Sequence, residues 1–102
     1  ELIEAQTQLA LERQRLSGEL AGAKARLVAA QASAEAANRR AALARETRGF
    51  IEKSFRAGET DLPSRLRVEL EAFEAERQST LARLNVNQAI SALNQALGLL
   101  PQ

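Results

Sequence analysis

Phe55-Arg56-Ala57-Gly58-Glu59-Thr60-Asp61-Leu62-Pro63 is the one sharp interruption in an otherwise helical chain. Gly58 carries no Cβ and suits the left-handed residue that ends a helix. Asp61 can then accept from free amides of a new first turn, where Pro63 is tolerated because its missing N–H would have had no partner there. The stretch therefore predicts one helix over about residues 2–56, a tip at 57–61 and a second helix over about 62–97, closed by Gly98 and Pro101.

Upstream of the turn, Leu2, Leu9, Leu16, Ala23, Ala30, Ala37, Ala44 and Ile51 recur every seven residues. A second row, four residues offset, holds Gln6, Arg13, Leu20, Leu27, Ala34, Ala41, Arg48 and Phe55. Together they form the seam of a coiled coil. Gly18, Gly22 and Gly49 lie along this helix, each costing about 1 kcal/mol relative to alanine, which a helix of about 80 Å can absorb.

A connection this short enforces an antiparallel hairpin. Folding about Gly58 makes facing residue numbers sum to roughly 117, which sets Ala34, Ala37, Ala41 and Ala44 opposite Leu84, Leu81, Arg77 and Phe73, small against mostly large. Charge agrees with that register. Arg39, Arg40, Arg45, Arg48, Lys53 and Arg56 outweigh Glu46 and Glu52 before the turn, while Glu59, Asp61, Glu69, Glu71, Glu74 and Glu76 outweigh Arg65 and Arg67 after it. In this register Gln102 falls beside Leu16, so Leu2 and Leu9 need another partner. The second helix also carries two apolar stripes, Leu66, Leu70, Phe73, Leu81 and Leu84 on one face, then Val86, Ile90, Leu93, Leu97 and Leu100 on another. One hairpin cannot bury both, so side-by-side assembly is expected.

The 102 residues include no Cys, His, Met, Trp or Tyr. Without a thiol nucleophile, a histidine base or soft metal ligands, neither catalysis, nor a metal site, nor a cofactor is expected. The basic run up to Arg56 is matched by facing acids and the net charge is only +1, which disfavours nucleic acid. Ser64, Ser79, Thr80, Ser91 and Asn94 are expected on a wet face or capping backbone groups. No apolar run reaches the roughly 18 to 20 residues that cross a bilayer. The uncapped start at Glu1-Leu2-Ile3-Glu4-Ala5 suggests a piece of a longer protein.

The turn and the end of the second helix together resemble a known family. Phe55 three residues before Gly58, and Leu93-Asn94-Gln95-Ala96-Leu97-Gly98 downstream, are similar to the second periplasmic hairpin of TolC-like outer membrane factors, and most of all to the CzcC-type, heavy-metal branch. The likeness is strong after residue 50 and rests on helical character before it. It implies a periplasmic segment of an outer-membrane protein of a Gram-negative bacterium, one long helix spanning two shorter ones, and a homotrimeric α-helical tunnel continued by a β-barrel that this chain lacks. A periplasmic adaptor (membrane fusion protein) would dock at the tip, Phe55, Arg56, Ala57, Gly58, Glu59, Thr60, Asp61 and Leu62, and couple the tunnel to an inner-membrane pump of the resistance-nodulation-division type. Members carry acidic residues six and nine positions after the tip glycine, ringing the tunnel mouth. Here those positions are Ser64 and Arg67. Two alternatives stand beside this expectation. The adaptor's own hairpin is similarly long, although no Arg-Leu-Ser signature is suitably spaced around Gly58. A plain oligomerising coiled coil would bind no adaptor.

Overall fold

The computed structural model describes residues 1–99, and Leu100, Pro101 and Gln102, with the expectations placed on them, lie outside the described residues. Two helices, α1 (Leu2–Arg56) and α2 (Leu62–Gly98), pack against each other as an extended antiparallel hairpin of 84 × 20 × 13 Å. This is an all-α coiled-coil hairpin. α1 runs unbroken through Gly18, Gly22 and Gly49.

Every residue from Glu1 to Arg15 is exposed. The seam begins at Leu16 and follows both expected α1 rows to Phe55. Ala23, Ala37 and Ala41 are buried, most other members are half-buried, and Arg48 alone is exposed. The last turn of α2 lies beside Glu19 and Ala23, where Leu99, Gln95 and Ala96 share a surface hollow with them. Leu2 and Leu9 thus project past the end of α2 on an unpaired stretch of α1.

On α2 the seam is not where side-chain size suggested. Arg65, Val68, Ala72, Ala75, Ser79, Ala82, Val86, Ala89, Leu93 and Ala96, in alternating steps of three and four, are its buried and half-buried positions. Leu66, Leu70, Phe73, Leu81 and Leu84 face outward, with Phe73 69% exposed. The opposition of Ala34, Ala37, Ala41 and Ala44 to Leu84, Leu81, Arg77 and Phe73 is therefore corrected. Small residues meet small residues, because alanine on both helices lets the backbones approach closely and leaves no space for leucine between them.

The register itself stands close to the expected one. The Ser79 hydroxyl donates to Asn38 Oδ1, a pair whose numbers sum to 117, and Arg45 reaches Glu76 at 2.9 Å. In this alignment Ala37 lies level with Ser79, Ala41 with Ala75 and Ala44 with Ala72. Ser79, expected on a wet face, is instead only 6% exposed and satisfied by Asn38. The second apolar stripe is split, Val86 and Leu93 joining the seam while Ile90 and Leu97 stay exposed.

Charge pairing across the hairpin is sparser than the facing runs suggested. Among the described residues only Arg45–Glu76 crosses between helices. Glu52 pairs with Arg56, Glu69 with Arg65 and Glu74 with Arg77 along their own helices, where neighbours three or four residues apart are already in reach. Gly98 is also corrected: it remains helical, no positive φ is recorded for it, and Leu99 caps the helix in a right-handed conformation.

Candidate functional site

The tip is the most specified piece of local structure in the chain. Gly58 adopts φ +77°, and the backbone around it closes two hydrogen bonds, Gly58 N–H to Phe55 O at 3.0 Å and Glu59 N–H to Ser54 O at 2.9 Å. This nested pair is the Schellman arrangement, which satisfies the last carbonyls of α1 and reverses the chain in a few residues. A Cβ at Gly58 would meet nothing within 4 Å, so the demand for glycine is conformational alone.

Three residues on, Asp61 Oδ1 accepts from the Ser64 amide at 2.9 Å and caps α2, with Pro63 in the first turn. Hydrogen bonding to Ser64 holds the Asp61 carboxyl below its ordinary value, helped to a smaller degree by the positive charge of Arg67. The two helices are joined immediately behind the turn by Arg65, whose guanidinium carbon sits 4.7 Å from the Phe55 ring centroid while its Nε donates to Glu69 at 3.2 Å. Phe55 is thereby clamped, half-buried, under a cation.

The eight tip residues are brought to one end of the rod. Arg56, Ala57, Gly58, Glu59, Asp61 and Leu62 are exposed, whereas Phe55 and Thr60 are half-buried. Arg56 is tethered by Glu52 at 2.7 Å. Ser64 is half-buried, its amide committed to the cap, and Arg67 is exposed on the first turns of α2. The Phe55–Arg65 stack was missed in the sequence, since Arg65 reads there as one more surface charge. Its place in the α2 seam row, one step before Val68, was the available signal.

Among the described residues no group of three His, Cys, Asp or Glu could hold a metal ion, and no helix is long and apolar enough to cross a membrane. The hollows along the rod are open, shallow grooves rather than enclosed cavities, some between the helices and some on α2 alone. The arrangement presents an exposed tip and an exposed apolar row on α2. No family model, curated protein or solved structure matches the chain.

Proposed function

We propose that the chain is a periplasmic hairpin of a TolC-like outer membrane factor, which extends an exit duct and docks a periplasmic adaptor through its tip. The observation that carries this reading is the rigid, solvent-exposed tip at the end of an 84 Å rod, built on the Phe55 and Gly58 spacing that the family shares. Backbone bonds, the Asp61 cap and the Arg65–Phe55 clamp hold the tip in one shape, so little ordering entropy opposes docking. The unpaired Leu2 and Leu9 fit an architecture in which one long helix spans two shorter ones. In the assembled machine the duct would be a homotrimer in the outer membrane, fed by an adaptor and a resistance-nodulation-division pump, with heavy-metal cations as cargo. The pump supplies the energy and the hairpin conducts passively.

Biolayer interferometry of the chain against adaptor hairpins from heavy-metal efflux systems tests this reading. Specific binding is expected, abolished by Gly58→Pro and weakened by Arg56→Glu. Proline cannot adopt φ +77° and destroys the turn, whereas the Arg56 change keeps the glycine turn, reverses a charge on the docking surface and removes the Glu52 ion pair. Binding indifferent to both changes, or none by the folded chain at about 100 µM, refutes the proposal. A second reading, a structural oligomerising coiled coil, is favoured by the exposed leucines of α2 and predicts association without any adaptor.

A further inference from the structure

We propose that the far part of α2, residues 84–98, is a detachable arm that opens and recloses on α1 while the half of the hairpin next to the turn stays shut. Contacts between the helices divide the rod at one level. The Arg65 guanidinium over the Phe55 ring at 4.7 Å, the Arg45–Glu76 pair at 2.9 Å and the Ser79 hydroxyl on Asn38 all lie at that level or on its turn side. Beyond Asn38 and Ser79, among the described residues, no side-chain hydrogen bond or ion pair crosses between the helices. Ala37, Ala41, Ala72 and Ser79 are buried from that level toward the turn, and Ala23 alone beyond it.

Packing loosens at the same place. Open hollows between the helices begin at Asn38 and Arg83 and continue beside Arg26 and Asn85, then beside Glu19 and Leu99. The seam here is built of larger residues, Leu16, Leu20, Leu27, Val86 and Leu93, which are nevertheless only half-buried. In the register that sets Ala44 level with Ala72, Leu27 meets Ala89 and Leu20 meets Ala96, so leucine holds apart two helices that alanine lets close nearer the turn.

Helix strength falls along with packing. Near the turn, Arg65 with Glu69 and Glu74 with Arg77 brace α2 along its own axis. Residues 85–98 carry no charge, so no such brace forms there. Asn85, Asn87, Ser91 and Asn94 are weak helix formers, because their side chains offer the backbone other hydrogen-bond partners. No basic residue stands in the last turn to offset the helix dipole, and α1 opposite carries Gly18 and Gly22. Gaps, weak propensity and missing cross-links thus coincide beyond one level, which makes the arm a separate unit of opening. When it lifts, Leu16, Leu20 and Leu27 of α1 are uncovered in line with Leu2 and Leu9.

Native-state amide hydrogen exchange of the 102-residue chain, read by NMR, tests this. The amides of residues 86–93 are expected to exchange at least about tenfold faster than those of 68–79 after correction for intrinsic rates, with the step between 79 and 86. Gly58→Ala then separates arm opening from unfolding of the whole chain. Its strained turn is present whether the arm is open or closed, so the arm's rate should stay within about twofold while residues 68–79 exchange about tenfold faster. Asn87→Ala with Asn94→Ala, both at exposed positions, should slow the arm about fivefold. Equal protection along α2, a smooth gradient without a step, equal acceleration of both parts by Gly58→Ala, or an arm indifferent to the two alanines would each overturn the proposal.

Discussion

Replacing Ala72 by leucine and, separately, Phe73 by alanine asks which face of α2 holds the hairpin together. Ala72 has no exposed surface and lies level with Ala44, so three added carbon atoms have no space unless the helices part locally. Overpacking of this kind costs about 1–3 kcal/mol, and the helix propensities of alanine and leucine are close enough that the loss reports packing. Truncating a buried phenylalanine costs about 3–5 kcal/mol, but with 69% of Phe73 exposed only about a third of that penalty remains. The better helix propensity of alanine then offsets about 0.5 kcal/mol of it. Ala72→Leu should therefore cost about 2 kcal/mol and Phe73→Ala about 1 kcal/mol or less. Urea unfolding followed by circular dichroism measures both, at a concentration low enough that pairing between copies adds nothing. A larger loss for Phe73→Ala, or a gain for Ala72→Leu, would mean that the leucine stripe is the seam after all.

Two further outcomes concern the turn. Gly58→Ala should lower stability by about 1–2 kcal/mol, entirely from the left-handed backbone since no atom obstructs the new methyl group; an unchanged melting curve would remove the Schellman turn from solution. The Asp61 cap should also be pH-dependent. Because the carboxyl is held below its ordinary value, its contribution is complete above the usual carboxylate range and is lost as pH falls through the depressed folded value. The Ser64 amide, followed by NMR, should lose its protection from exchange over that acid window, and Asp61→Asn should flatten the dependence. A Ser64 amide equally indifferent in both proteins would show that the carboxylate does not cap α2.

The hairpin and its turn were legible because they rest on local backbone chemistry. Glycine with φ +77°, an acidic cap and a proline in the next first turn occur within six residues, and each acts without help from distant parts of the chain. The α1 seam was legible too, since its seven-residue repeat is unbroken from Leu16 to Ile51. α2 was ambiguous for a physical reason. It carries two rows with coiled-coil spacing, one small and one large, and hydrophobicity alone ranks the row of Leu66, Leu70 and Phe73 above the row of Ala72, Ala75 and Ala82. Shape decides the other way. α1 presents Ala37, Ala41 and Ala44, and only a comparably small row lets two helices approach until those alanines are buried. Once the small row is spent inside the hairpin, the large row is displaced to solvent, where it cannot contribute to the fold of one chain. Its coiled-coil spacing nevertheless remains, on the exposed face of α2. The tight seam and the exposed stripe are thus two consequences of one choice of register, and a substitution such as Ala72→Leu that loosened the first would disturb the second as well.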